Sequence, residues 1–187
     1  MAQKQKLEPN TLIPALNNLT VGDFWSWAYS DILSNANRSV FAEFLVGAAL
    51  GVLERPRIEW NGFDLEYRGK KIEVKASAYL QSWPQTRPSV IMFDICPKRA
   101  WDAATAQSIN EPTRIADCYV FCLYAETNPE VNNVVDVDRW EFYVVSTDAI
   151  NQSFGAQKSI GLSSLKKIAE TIKYNQLRIT IELALNI

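Results

Sequence analysis

The sequence contains no histidine among its 187 residues. Without an imidazole, the chain cannot form a Ser-His-Asp or Cys-His nucleophilic system, a histidine-ligated zinc site or an imidazole general base. Only three cysteines are present, Cys96, Cys118 and Cys122, with no close CxxC pair. This odd number favours neither a disulfide framework nor a structural zinc site, and we expect Cys118 and Cys122 to be small core hydrophobes. Any chemistry therefore has to use carboxylates, lysine, hydroxyls or thiols.

Long apolar runs are also missing. No stretch approaches the roughly 20 apolar residues that cross a bilayer, and the first residues lack the apolar core of a signal peptide. We therefore expect a soluble, cytoplasmic protein without membrane contact.

Charge is nearly balanced overall but segregated along the chain. The total is 19 − 21 = −2, a mildly acidic balance that argues against an extended DNA-coating surface. Counting Lys and Arg against Asp and Glu, residues 54–99 carry 9 − 6 = +3, residues 117–148 carry 1 − 7 = −6, and residues 158–187 carry 5 − 2 = +3. Solvated surface charge accounts for most of these side chains.

Two helices are predicted first. Thr20 with Asp23 three residues later forms an approximate capping box, so a helix is expected near 20–33. Asn35 or Asn37 can cap the next helix, which Gly51 can close.

After residue 56 the hydrophobic period becomes that of strands. Strands are predicted at RIEW, FDLEY, KIEVKAS, SVIMFDI, ADCYVFCLYAE and RWEFYVVST, and a helix at SLKKIAETI, beginning at Ser163 or Ser164. LRITIELAL fits a strand or a helix, and 97–112 is ambiguous. This order predicts an α/β fold, with α+β as the alternative, around a central mixed β-sheet flanked by helices. We expect one domain over residues 1–187, with an N-terminal helical extension over about 1–35.

The segment FDLEYRGKKIEVK, residues 63–75, reads as a hairpin around an Arg68-Gly69 turn. The pairing then places the Asp64 and Glu73 carboxylates opposite each other, with Lys75 on the same face. Opposed like charges destabilise a sheet unless a cation compensates them. Lys71 and Lys75 can supply part of that charge, and Mg²⁺ or Mn²⁺ can supply more. Solvated charges on an exposed strand are the alternative.

Glu43 is the only charged residue from Ser39 to Leu53. A carboxylate on a mostly buried helix is costly unless it is paired or bound to a cation. A solvated position at the edge of the helix stays open.

This order of residues resembles the PD-(D/E)XK nuclease superfamily, which has a restriction-endonuclease-like core. The matching stretch is RSVFAEFLVGAALG…FDLEYRGKKIEVKAS, in which Phe63 stands where the family has proline. By that resemblance Asp64 and Glu73 bind the metal, Lys75 is the catalytic lysine, and Glu43 is the helical acidic residue that supports the metal site as a further metal residue. The resemblance implies a Mg²⁺-dependent endonuclease of restriction or defence type that hydrolyses DNA, with Mn²⁺ as a substitute, and a homodimer if both strands are cut.

Three other residues are candidates for contacting DNA: Lys71, Ser77 and Gln81, the last with a structural role in a turn as its alternative. The six tryptophans suit base stacking as well as core or interface packing. A catalytically silent nuclease-like subunit for DNA binding or assembly is the alternative function. A plain structural domain, in which Glu43 points to water, is the third possibility.

Overall fold

The computed structural model describes residues 5–59, 62–98 and 112–187, together with the backbone of 101–102 and 107–108. Across these described residues, no helix combines the length and the apolar character that crossing a membrane requires.

The first two helices have ends set by capping residues. Helix α1 (Val21–Tyr29) starts after Thr20, whose hydroxyl accepts from the amide of Asp23 while the Asp23 carboxylate accepts from the amide of Thr20. The predicted capping box is therefore confirmed, although the helix ends four residues before position 33. Helix α2 (Asn35–Leu50) is capped by Ser34, so the predicted caps Asn35 and Asn37 were wrong. Gly51 closes α2 as predicted, with φ of 73°.

The central sheet has four strands. A hairpin of β1 (Leu65–Tyr67) and β2 (Lys70–Ala78) turns at Arg68 and Gly69, whose φ angles of 50° and 75° suit a tight two-residue turn. Three short strands outside this sheet follow in the chain: β3 (Met92–Asp94), β4 (Trp101–Asp102) and β5 (Gln107–Ser108), of which β4 and β5 pair with each other. The sheet continues with β6 (Cys118–Tyr124), parallel to β2, and β7 (Trp140–Ser146), antiparallel to β6.

The rest of the chain packs around this sheet. In order, it forms α3 (Thr147–Phe154), β8 (Ser159–Gly161), α4 (Leu162–Leu165) and α5 (Leu177–Leu185), and β8 pairs antiparallel with β3. Short 3₁₀ helices occupy Pro129–Val131, Val137–Arg139 and Tyr174–Gln176.

Two apolar clusters cover the two faces of the sheet. One contains Leu45 and Val46 of α2 with Leu177 and Ile181 of α5, and the other contains Phe93 with side chains of β8, α3 and α4. All seven residues of β6 are buried, as expected for a central strand with a parallel neighbour. The prediction of a mixed α/β fold with a central mixed sheet flanked by helices is confirmed. Cys118 and Cys122 are fully buried in the first cluster, also as predicted.

Several sequence predictions need correction. RIEW is not a strand at Arg57–Glu59, and Trp60 lies outside the described residues. The helix predicted over SLKKIAETI is only the four-residue α4, which ends at Leu165, and Ile172 instead exchanges two backbone hydrogen bonds with Phe142 at the edge of the sheet. Much of 97–112 lies outside the described residues. LRITIELAL is the helix α5, in which burial of Leu177, Ile181 and Leu185 every four residues fits a helical period.

Candidate active site

The three charged residues of the predicted hairpin motif lie together near the start of β1; they are Asp64, Glu73 and Lys75. The predicted register is confirmed for Tyr67 with Lys70, Glu66 with Lys71 and Leu65 with Ile72. The strand pairing ends at Leu65 and Ile72. The predicted pairing of Asp64 with Glu73 is therefore wrong. Instead the Asp64 amide donates to the carbonyl of Ile72 at 3.1 Å, and the Val74 amide donates to Asp64 Oδ2 at 2.7 Å. These two bonds hold the Asp64 carboxylate against β2, between the residues that flank Val74.

Glu73 and Lys75 form a close ion pair. Lys75 Nζ lies 2.6 Å from Glu73 Oε1, and the two side chains are only 18% and 12% exposed. A second ammonium, that of Lys98, lies 3.7 Å from the same Glu73 oxygen and 3.8 Å from Asp94 Oδ2. Lys98 is 60% exposed and therefore lies at the rim of this cluster, whereas Lys75 lies inside it.

The cluster perturbs the protonation of its members. Burial and then the negative charge of Glu73 raise the pKa of Asp64 to about 6, with a smaller contribution from Glu43, although the bond from Val74 and the charge of Lys75 oppose the rise. For Lys75, burial alone lowers the pKa, but Glu73 and Asp64 outweigh it, so its pKa is above the ordinary value. The surroundings of Lys75 therefore favour its cationic form, whereas those of Asp64 disfavour its ionised form. Shifts of pKa that arise from burial together with a specific charged partner are typical of functional sites.

The raised pKa of Asp64 predicts a pH dependence of stability. Between the ordinary value of 3.8 and about 6, the folded chain binds more protons than the unfolded chain, so the contribution of Asp64 to stability falls as the pH rises. We expect this contribution to fall by up to about 3 kcal/mol between about pH 4 and pH 7. Urea unfolding of the wild type and of Asp64→Asn in EDTA measures it, as the change with pH in the difference between their free energies of unfolding. A constant difference would contradict the prediction.

Glu43 of α2 is buried and paired. It is 7% exposed, and Arg57 donates to it through two nitrogens, Nε to Oε2 at 2.5 Å and Nη2 to Oε1 at 2.8 Å. Glu43 therefore does not point to water. The interpretation of the chain as a plain structural domain requires the opposite. The charge of Glu43 also contributes to the raised pKa of Asp64.

The carboxylates suit a magnesium ion by chemistry and number. Mg²⁺ is usually held by one or two carboxylates together with water and substrate phosphate oxygens. Asp64 and Glu73 supply such a pair, and the charge of Glu73 raises the pKa of Asp64, so a cation near both carboxylates would relieve their repulsion. Among the described residues, no three Asp, Glu or Cys side chains are grouped closely enough to hold an ion together. Direct ligation by Glu43 in addition to these two carboxylates stays a prediction.

The three candidates for contacting DNA lie in different environments. Lys71 is exposed, with its ammonium 5.5 Å from the centre of the Phe63 ring. Ser77 is 9% exposed, on the same strand and the same side as Lys75. Gln81 accepts from Arg38 Nη1 at 3.1 Å and donates to the carbonyl of Ala78 at 2.9 Å. Its side chain thus has the structural role in the turn that the sequence left open, and a DNA contact by any of the three stays a prediction.

Two basic residues of the site are not identified by the sequence pattern. Arg57 lies 14 positions after Glu43, in a segment that the alternating pattern assigns to a strand. Lys98 lies outside the hairpin motif and reaches Glu73 only because β3 packs next to β2. For Arg57, the sequence gives one indication: the isolated charge of Glu43 requires a nearby cation. It does not indicate which residue supplies that cation.

One comparison with known proteins identifies a family. A family model described as Bacteriophage T4 endonuclease IV matches residues 26–164. The matched range extends from α1 to α4 and contains Glu43, Asp64, Glu73 and Lys75. No curated protein matches the chain.

Proposed function

The chain belongs to the bacteriophage T4 endonuclease IV family, and on that basis we propose that it is a metal-dependent DNA endonuclease whose active site is the cluster of Asp64, Glu73 and Lys75. The observation that carries the proposal is the contact between the buried Glu73 and Lys75 beside an Asp64 carboxylate whose pKa is raised. The family match covers most of the chain and supports endonuclease activity with DNA as the substrate. The metal, the individual residues and the restriction or defence role are our inference.

We also propose that the fold is restriction-endonuclease-like and that the chain is a PD-(D/E)XK nuclease. In support, a helix with a buried Glu43 precedes a hairpin that carries Asp64 and the Glu73-Val74-Lys75 triplet. The strand order β1-β2-β6-β7, with one parallel pair in the middle, gives the mixed sheet that the resemblance implies.

Asp64 and Glu73 are the residues that would hold Mg²⁺, with Mn²⁺ as a substitute. When bound, the metal polarises the scissile phosphate and makes a bound water more acidic. The two carboxylates supply hard oxygen donors, and the amide of Val74 keeps Asp64 in place through its 2.7 Å hydrogen bond.

Lys75 has the properties of a residue that stabilises developing negative charge. It is 18% exposed and cationic, and its burial strengthens its interaction with an anion compared with a lysine in water. In this role it orients the attacking water or offsets the charge that accumulates on the phosphate oxygens. Its contact with Glu73 fixes the position of the ammonium before substrate arrives.

Glu43 has a supporting role. Two hydrogen bonds from Arg57 neutralise its charge, so the pair holds a carboxylate near Asp64 without adding a full unpaired negative charge to the site. Arg57 is 38% exposed, so its guanidinium is also accessible to a phosphate from solvent.

Cutting both strands of a duplex would favour a homodimer.

A cleavage assay with a matched pair of substitutions tests this function. Purified chain is incubated with DNA in Mg²⁺, Mn²⁺ or EDTA, and we expect cleavage only with a divalent ion. Glu73→Gln should lower the rate at least about 100-fold, because it removes a metal-binding charge and the partner of Lys75. Glu66→Gln is the control, since Glu66 is an exposed carboxylate on the same hairpin.

Two results would contradict the proposal. Equal cleavage by wild type, Glu73→Gln and Glu66→Gln would show that the cluster is not the active site. Salt-dependent DNA binding without cleavage in any metal would instead select the silent DNA-binding or assembly subunit.

A further inference from the structure

A cavity of about 310 Å³ lies beside the loop that follows β2, here called the 81–90 loop. Its buried part is formed by Leu33 and Leu80, each 8% exposed. The loop contributes Trp83, whose side chain is 52% exposed. The remaining lining includes Thr127 and Asn132, from the chain that follows β6, together with two prolines and Arg87 of the loop. The cavity thus combines an accessible indole, an apolar base and polar groups.

The 81–90 loop is held in shape by its own side chains. Gln85 accepts from the amide of Gln81 at 2.7 Å and donates to the carbonyl of Tyr79 at 3.2 Å. Gln85 and Gln81 both donate to the hydroxyl of Ser89, at 3.0 and 3.1 Å. Because these bonds connect both ends of the loop, the cavity is formed before any ligand binds, which lowers the entropic cost of binding.

A buried positive charge lies directly behind the cavity. Arg38 is 5% exposed and donates to the carbonyl of Leu33 at 2.7 Å and to Gln81 Oε1 at 3.1 Å, and both partners line the cavity. Within the described residues, no carboxylate lies at ion-pair distance from Arg38, and its Nε has no hydrogen-bond partner. An arginine stays charged even when it is buried, so Arg38 places a positive charge behind the cavity, whereas Thr127 and Asn132 of the lining come from the acidic section 117–148.

The size of the cavity favours one aromatic ring system over a longer segment. Its volume is at the lower end of the roughly 300–1,000 Å³ range of small-molecule pockets. A planar base stacked on the accessible indole of Trp83 matches this volume and the apolar base of the cavity.

The cavity is also close to the candidate active site along β2. Ala78, where β2 ends, is three residues from Lys75, or about 10 Å at the rise of a strand. Successive nucleotides in a duplex strand are about 3.4 Å apart along the axis, so the loop begins within a few nucleotides of Lys75.

We propose that this cavity binds a single nucleobase of the DNA substrate, stacked on the indole of Trp83, a few nucleotides from the scissile phosphate. The inference rests on the proposed nuclease function, and the cavity should prefer the bases that stack more strongly on an indole. The bound base has to be separated from its neighbours in the strand, because an indole can stack only on an accessible face.

DNA binding without cleavage is the first test. A fluorescently labelled mixed-sequence oligonucleotide is titrated in EDTA with the wild type, Trp83→Ala, Trp83→Phe and Trp27→Ala. We expect Trp83→Ala to bind about tenfold more weakly and Trp83→Phe within about threefold of the wild type, because a phenyl ring retains stacking. Trp27, which is 84% exposed on α1 and outside the cavity, is the control, and its loss should leave the affinity unchanged. Because Trp83 is half exposed, these variants should unfold at nearly the wild-type temperature.

Cleavage products separate this proposal from the nuclease assignment. A randomised oligonucleotide is cut in Mg²⁺, and the product ends are sequenced. The wild type should show a base preference at one fixed position near the cut, and Trp83→Ala should lose that preference. Normal cleavage by Trp83→Ala, with unchanged affinity and preference, would overturn the cavity while leaving the nuclease function intact.

Two further outcomes are also decisive. If no protein cuts but Trp83→Ala still binds about tenfold more weakly, the nuclease function fails and base binding by Trp83 is supported. If a deoxynucleoside monophosphate competes as strongly as the oligonucleotide, the cavity is a site for free nucleotide, and the proposal is overturned.

Discussion

Replacing Lys75 with methionine is expected to reduce DNA cleavage by about 10²–10³-fold, the range found when one preorganised electrostatic group is removed from an active site. Methionine retains the apolar length of lysine but lacks the ammonium that lies 2.6 Å from Glu73. The loss should fall on kcat, since Lys75 acts on charge that develops during the reaction. Single-turnover cleavage at saturating protein measures it.

Lys70→Met is the matched control. Lys70 is on the same strand as Lys75, and its ammonium lies 3.9 Å from Asp117, away from the Asp64–Glu73 cluster. A surface pair of this kind contributes about 0–1 kcal/mol to stability, so this variant should cleave like the wild type. If Lys75→Met, folded by circular dichroism, cleaved at the rate of Lys70→Met, Lys75 would not be catalytic.

Replacing Asp64 with asparagine is expected to abolish cleavage while making the fold more stable. At neutral pH the Asp64 carboxylate is ionised against burial and the charge of Glu73, which is why its pKa is raised to about 6. Asparagine keeps an oxygen that can accept from the amide of Val74 but removes this repulsion. We expect the free energy of unfolding to rise by about 1–3 kcal/mol in EDTA. Cleavage should fall at least about 100-fold, because a metal-binding charge is lost.

These opposite changes distinguish a functional carboxylate from a structural one. Thermal unfolding in EDTA and in Mg²⁺ measures the first change, and cleavage measures the second. In the wild type, Mg²⁺ should raise the unfolding temperature, because an ion that binds the folded state stabilises it, and Asp64→Asn should lose most of this rise. The control Asp31→Asn, an exposed aspartate outside the cluster, should change neither quantity. Lower stability together with normal cleavage in Asp64→Asn would show that Asp64 is only a structural residue.

Local chemistry explains which parts of the candidate site the sequence predicts. Arg68-Gly69 specifies a two-residue turn, and the turn fixes the register of the pairs from Leu65–Ile72 to Tyr67–Lys70. Glu73 lies beside Lys75 because residues two apart on a strand point to the same face. Asp64 departs from the register, because its amide bonds to Ile72 and its side chain bonds to Val74. At the end of a strand, a side chain that accepts a hydrogen bond from the backbone can replace strand pairing. The alternation of charged and apolar residues in the sequence does not reveal such a bond.

Contacts between distant segments could not be predicted in the same way. The partner of Glu43 is Arg57, in a segment without regular structure, and the second cation near Glu73 is Lys98, beyond β3. At the end of the predicted helix after Ser163, the backbone of Ile172 pairs with Phe142, a tertiary contact that local propensity cannot anticipate.

The sequence itself determines three properties. It has no histidine, it places carboxylates and a lysine on one hairpin, and it places an isolated glutamate on an apolar helix. The absence of histidine excludes imidazole chemistry, and the tight turn places the carboxylates and the lysine on one hairpin, because both effects act over a few residues. Only the tertiary structure decided which cations neutralise those carboxylates, and that Trp83 lines a cavity backed by the buried Arg38. These features depend on burial and on contacts between segments far apart in the chain, and the sequence pattern specifies neither.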